Sequence, residues 1–298
     1  MRQARAGTRQ AAADRNLQLT EMSPPQSIPQ STLRAVLRLL ALIVAILPLI
    51  PICTLLVFAA GLGGERLRYR TVMMLTPIVC GTIAFLMGLR IRVLGTRSRN
   101  ALIFVGNHVT YLDILVAAVG VGGVFVSRHD VKNWPVIGIF ARLAGTVFLD
   151  RSSLRSAVES SAGIVERARQ GIRIALFPEG VTTSGTVATF RPFLFSAVTQ
   201  EKFPVQPFTI RYTHIGEIPI TDENKDFIYW YDPAPELDVH GWQILKFRNV
   251  RATVTFHETL APPASADKGA VREFAEELQR RVEAGLGSQK SEVKSQKA

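Results

Sequence analysis

Cysteine is nearly absent from this chain: of 298 residues only Cys53 and Cys80 carry thiols, and both lie inside apolar runs. Two such thiols have neither the spacing of a zinc site nor that of a redox pair, so a disulfide scaffold is excluded and each reads as a small buried hydrophobe. Nothing calls for an oxidising compartment. Histidine is also scarce. His129, His214, His240 and His257 are scattered without ligand spacing, and His108 has one carboxylate nearby where a catalytic zinc takes three protein ligands, so no metal is expected. Internal repeats are absent, which excludes solenoids and propellers. Acidic side chains are in deficit, with 24 Asp plus Glu against 35 Lys plus Arg and a formal net charge of +11. That surplus suits an anionic surface, either nucleic acid or lipid phosphate.

One stretch lacks charge altogether. Leu39 to Gly63 is uncharged and exceeds the about 20 apolar residues that cross a hydrocarbon core, which turns the reading from nucleic acid to lipid. Pro48 and Pro51 fall in its middle and predict a break or kink, hence a bent, re-entrant or interface-lying pair. A second apolar run, Thr71 to Leu89, follows the basic link Glu65-Arg-Leu-Arg-Tyr-Arg70. Arginines flank both ends, Arg34 and Arg38 before and Arg90 and Arg92 after, which leans towards a hairpin with both ends cytoplasmic. The first run begins too late and is too long for a cleaved signal peptide. The expected organisation is a polar tail over 1–32, a membrane-associated helix pair over 33–92, one domain over 93–286 and a frayed polar end over 287–298.

From about residue 100 short apolar strands alternate with amphipathic helices. Residues 102–105, 124–126, 146–149, 172–177, 205–211 and 251–257 read as strands; 113–119, 134–143, 153–170, 192–199 and 268–284 read as helices. In the third helix Leu154, Ala157, Val158, Ile164, Val165 and Ala168 share one stripe, and Gly171 supplies the stop. The expected fold class is α/β, a mostly parallel sheet flanked by helices, with ligands bound outside the carboxyl ends of the strands.

Two motifs fall just after such ends. In Asn107-His-Val-Thr-Tyr-Leu-Asp113 an imidazole and a carboxylate are separated by four residues, a spacing that fits a turn into a helix folding the carboxylate back under the ring. In Phe177-Pro-Glu-Gly180 a strand ends in a tight turn whose backbone N–H groups can bind a phosphate or an oxyanion. Arg151 closes Gly145-Thr-Val-Phe-Leu-Asp-Arg151, and a guanidinium at a strand end is placed to clamp a phosphate.

These three blocks and Phe203-Pro-Val-Gln-Pro207, in this order and behind a membrane segment, resemble the glycerophospholipid acyltransferases of the 1-acyl-sn-glycerol-3-phosphate type over roughly residues 72 to 260. The resemblance implies O-acyl transfer from acyl-CoA or acyl carrier protein to a lysophospholipid hydroxyl, at the cytoplasmic face of a bacterial inner membrane, with membrane lipids as partners and no nucleic acid, cofactor or metal. An acyl transfer needs a base for the attacking hydroxyl; His108 is assigned that role, with Asp113 favouring the charged ring. By resemblance, Glu179 and Gly180 help bind the acceptor and Arg151 holds its phosphate, while Arg128 and Arg191 occupy positions where the family commonly has Lys. Phe203–Pro207 lines a channel or is a buried strand.

The departure from the family is Val181-Thr-Thr-Ser184, where phosphatidate-forming members often have Thr-Arg-Ser. The missing cation puts lysophosphatidate in doubt and keeps another lysolipid, such as lyso-ornithine lipid, as the alternative acceptor. A lipid-ester hydrolase and a silent lipid-binding protein are the rival readings. Trp134, Phe140, Phe190, Phe193 and Phe195 are expected to include residues that dip into the membrane interface, with a core position the equal alternative for each.

Overall fold

The computed structural model describes residues 28–134, 137–150 and 154–295. Two long helices come first, α1 (Thr32–Leu62) and α2 (Glu65–Met87). Ser31 caps α1, its hydroxyl accepting from the Arg34 N–H at 3.2 Å. The expected break at the prolines does not occur: α1 continues through Pro48 and Pro51. Each proline removes one backbone hydrogen bond, and 31 residues leave enough others to carry the helix past them. The chain turns instead at Gly63–Gly64, where Gly64 has φ +104°, and the basic link from Glu65 to Arg70 forms the first turns of α2.

Both helices are long and apolar enough to cross a membrane. At 1.5 Å per residue α1 extends about 46 Å, more than a hydrocarbon core of about 30 Å. Of α1 only Ala35, Leu42, Cys53 and Val57 are buried, while Val44, Leu47, Leu55 and Phe58 are exposed.

The sheet follows directly, with β1 (Leu89–Leu94) taking up residues that the sequence pattern assigned to the apolar pair. The remaining elements are β2 (Ile103–Gly106), α3 (Asp113–Val121), β3 (Val124–Arg128), α4 (Ile137–Leu143), β4 (Val147–Leu149), α5 (Leu154–Arg169), β5 (Ile174–Leu176), α6 (Phe193–Gln200), β6 (Val205–Ile215), β7 (Ile218–Pro219), α7 (Leu237–Lys246), β8 (Val250–Phe256) and α8 (Lys268–Ser295). The strand order is β1-β8-β6-β2-β5-β3-β4, with β7 hanging antiparallel on β6. β2 through β6 are mutually parallel, β8 runs against β6, and β1 is parallel to β8. β7 and α7 carried no sequence expectation, β1 replaces the end of the expected helix pair over 33–92, and α8 runs further than the predicted 268–284.

Side chains alternate across the sheet. Phe104 and Ala175 face a core built with α3, α7 and Phe227, whereas Ile103, Val105, Ile174 and Leu176 face a second core with α5, α6 and α8. The α2 helix reaches both, through Ala84 on one side and Tyr69 and Val72 on the other. This ties the apolar pair to the domain. Because the five strands from β6 to β4 in this order are parallel, β2, β3, β4 and β5 all end at one edge of the sheet.

Gly106, the last residue of β2, is paired with Phe208. A Cβ at Gly106 would run into the Phe208 ring, which is fully buried and edge-on to Phe177. Gly106→Ala is therefore expected to destabilise the fold by about 1–3 kcal/mol, the usual cost of overpacking, measured as a loss of unfolding free energy in denaturant titration.

Candidate active site

His108 stands two residues beyond β2 and Asp113 opens α3. The His108 Nδ1 and Asp113 Oδ2 are 2.8 Å apart, with the carboxylate completely buried and the imidazole 18% exposed. The turn explains the closeness. The N–H groups of Val109 and Thr110 both donate to Asp113 Oδ2, at 2.7 and 3.0 Å, so the carboxylate ties down the turn that carries the histidine. The other oxygen, Oδ1, accepts from the Tyr212 hydroxyl on β6 at 2.8 Å. Burial first, and the Asp113 carboxylate second, push the Tyr212 phenol well above its usual range, so it serves as a proton donor to Asp113. Phe177 stacks on the imidazole, with ring centroids 4.4 Å apart and planes within 8°. One ring face is thereby covered. With Nδ1 turned to Asp113, the nitrogen left for chemistry is Nε2.

Asn107 fixes the strand end that supports this turn. Its side-chain amide donates to the Ile210 carbonyl at 2.9 Å and its side-chain oxygen accepts from the Ile210 N–H at 2.8 Å. A buried side chain thus stands in for a backbone rung between β2 and β6, next to the strand segment that carries Tyr212.

Glu179 is buried as well. Its Oε1 accepts from the His108 N–H and its Oε2 from the Ala188 N–H, both at 2.7 Å. Both of its oxygens thus hold backbone. Burial pushes its carboxyl up to about 8, against the pull of the two amide hydrogen bonds, with the nearby Asp113 charge adding to the rise. Gly180 takes a left-handed conformation, φ +75°, and its N–H closes the turn onto the Phe177 carbonyl at 3.1 Å. The loop is stitched to the histidine a second time, where Thr183 N–H donates to the His108 carbonyl at 2.9 Å.

Two of the expected cations, Arg191 and Arg128, lie along the same edge. Arg191 lies against this loop, its Nε donating to the Glu179 carbonyl at 3.2 Å. Arg128, at the end of β3, is forked onto Asp130 at 2.9 and 2.8 Å, and its side chain is 62% exposed. Arg151 lies outside the described residues, as do the side chains of Leu154, Ala157 and Val158. Phe203–Pro207 is the buried-strand alternative: it leads into the amino end of β6, and Gln206 bonds Ser98, Thr96 and His257 there. Phe190 and Phe195 are core residues, fully buried, which removes them from the interfacial aromatics. Trp134, Phe140 and Phe193 are partly exposed. Tyr212 and Asn107 escaped the sequence-based site because their partners lie about a hundred positions away.

The fold and this edge define an α/β acyltransferase domain behind an apolar helix hairpin. The family model described as Acyltransferase matches residues 90–211. A lyso-ornithine lipid O-acyltransferase of Rhodobacter capsulatus is 32% identical over 222 residues, 72% of this chain and 76% of that protein. A 1-acyl-sn-glycerol-3-phosphate acyltransferase of Neisseria gonorrhoeae is 30% identical over 152 residues, 50% of this chain and 58% of that protein. The crystal structure of the 1-acyl-sn-glycerophosphate acyltransferase from Thermotoga maritima shares the fold, with a TM-score of 0.59 at 19% identity over 87% of this chain and 94% of that one. The chain belongs to the lysolipid acyltransferase family.

The position of Glu179 generates a pH dependence. In the unfolded chain a Glu carboxyl ionises near 4.5, whereas here it keeps its proton up to about 8. Its contribution to stability is thus fully present below about pH 4.5 and is lost as pH rises through about 8. Melting temperatures of the parent and Glu179→Gln, followed across that window, should show the parent falling more steeply; parallel curves would remove the linkage.

Proposed function

We propose that this protein is a membrane-bound enzyme that moves a fatty acyl group from the thioester of acyl-CoA or acyl carrier protein to the hydroxyl of a lysolipid. The observation that carries the mechanism is the 2.8 Å contact between His108 Nδ1 and a fully buried Asp113. His108 Nε2 takes the proton of the acceptor hydroxyl as its oxygen attacks the thioester carbonyl carbon. The tetrahedral intermediate collapses with cleavage of the C–S bond, and the departing thiolate recovers the proton from Nε2. The products are an ester and a free thiol. Asp113 keeps the proton on Nδ1 and stabilises the imidazolium formed in between. Glu179 acts through backbone, by holding the His108 amide and the loop from Phe177 to Ala188 in one place. Of the cations, Arg191 lies against this loop and Arg128 stands at the end of β3, which suits them to an anionic group on either substrate; Arg151 is assigned to the acceptor by family resemblance alone.

The apolar hairpin supports the membrane reading, since substrate and product are lipids that stay in the bilayer. For the acceptor we favour lyso-ornithine lipid over lysophosphatidate. Val181-Thr-Thr-Ser184 offers no cation where a phosphate-reading loop has one, and the similarity to a lyso-ornithine lipid O-acyltransferase extends over three quarters of that protein. Lysophosphatidate remains the second reading on the strength of Arg128, Arg151 and Arg191.

Full-length protein offered labelled acyl-CoA and, in parallel, acyl carrier protein with a panel of lysolipids should transfer acyl groups preferentially to lyso-ornithine lipid. His108→Ala and Asp113→Asn should each lower kcat/KM by about 10²–10⁴ with the fold retained. Undiminished transfer by His108→Ala would eliminate the proposed base, and free fatty acid released without acceptor would make the protein a hydrolase.

A further inference from the structure

Three arginines meet where the apolar pair joins the domain. Arg34 and Arg38 lie on consecutive turns at the start of α1, and Arg90 is the second residue of β1. Among the described residues none of the three has a carboxylate within ion-pair distance, although ten other pairs form elsewhere on the molecule. Backbone carbonyls hold two of them instead. Arg38 donates to the carbonyls of Phe247 at 2.6 Å and Arg248 at 2.7 Å, and Arg34 to that of Lys246 at 2.9 Å, all at the carboxyl end of α7. The Arg38 guanidinium lies flat on Gly88, where φ is +91° and any Cβ would collide with it. Arg90 stands over the Phe85 ring at 4.8 Å. Positive charge is gathered here, and at Arg34 and Arg38 it faces the carbonyl end of α7.

Beside these cations runs an open groove of about 360 Å³, lined by Ser31, Leu33, Leu37 and Ala41 of the α1 end and Leu86 of α2, with Arg34 and Arg38 at its wall. Leu33 and Leu37 are 69% and 57% exposed. The groove begins at the amino end of α1, where Ser31 takes up the Arg34 N–H and the N–H groups before it have no partner within the helix. Cations and helix donors at one end of an apolar trough match an anion that carries a hydrocarbon chain.

We propose that this junction is a binding site for an anionic membrane phospholipid, its phosphate against Arg34, Arg38 and the α1 amino end and its acyl chain along Leu33, Leu37, Ala41 and Leu86. The site is on the hairpin, separate from the His108 edge, and occupant and substrate are different molecules. The inference rests on the membrane reading of the helix pair and not on the chemistry at His108. The lipid would fix the height of the domain above the bilayer, because the hairpin enters the membrane at this level.

The test uses full-length protein, delipidated in detergent, with transfer activity scored in the same preparation so that a failed enzyme reading and a failed lipid site are told apart. Phosphatidylglycerol, phosphatidylcholine and inorganic phosphate are added separately, and lipid retention is read by native mass spectrometry alongside melting temperature. Phosphatidylglycerol should be retained and raise the melting temperature, with little effect of the other two. Arg34→Gln should weaken retention about fivefold, and Ala41→Phe, which fills the trough but keeps every charge, should weaken it at least as much, both with transfer in detergent unchanged. Equal retention of both phospholipids, or equal retention by parent and both variants, overturns the site; stabilisation by phosphate alone would make it a free-anion site without a lipid.

Discussion

A single buried carboxylate organises the candidate active edge of this protein. Asp113 has no contact with water, so each of its lone pairs that stays unpaired would cost free energy on the order of 1–3 kcal/mol. It meets that demand with four donors from two regions of the chain: the ring of His108, the amides of Val109 and Thr110, and the hydroxyl of Tyr212. Satisfying the carboxylate and aiming the imidazole are therefore the same event. A shift of β6 against β2 would leave Asp113 short of a donor, and the Asn107–Ile210 pair of hydrogen bonds opposes such a shift at the neighbouring rung.

Glu179 extends the logic to the second motif. The histidine turn and the turn after β5 lie some seventy residues apart, yet one carboxyl group spans from the His108 amide to Ala188, and Thr183 closes onto the His108 carbonyl. The two motifs are one piece of backbone architecture. This accounts for a glutamate in a place where its ionisation is disfavoured: its oxygens are needed as acceptors for amides that have no strand partner.

The hairpin obeys a different physics. Its exposed face is apolar, and its attachment to the domain combines apolar packing, of α2 in both cores and of Ala35 and Leu42 with Leu245, with carbonyls at and just beyond the end of α7 that accept from Arg34 and Arg38. Both helices are long and apolar enough to cross a membrane, and Arg34 and Arg38 stand at the end of the pair that adjoins the domain. The reactive edge and the hairpin are joined through α2, which packs along α3, the helix that Asp113 begins.

Local pattern was enough for much of this. The alternation of apolar strands and amphipathic helices specified the α/β class and the parallel strands, because burial on both faces demands continuous apolar runs. The His108–Asp113 pair was also readable, since its four-residue separation closes within one turn. Other features could not be read locally. Leu89–Leu94 is interrupted by arginines and passed for the end of a helix; it is a strand only because β8 offers it an edge. Pro48 and Pro51 looked like a break, and the helix carries through them. Tyr212 and Asn107 reach their partners across the sheet, and the burial of Glu179 between the His108 and Ala188 amides had no local signal. The sequence by itself determined the elements and the reactive pair, whose interactions span a few residues. Tertiary structure alone decided which distant groups would saturate the buried carboxyls, because hydrogen-bond satisfaction depends on which strands become neighbours.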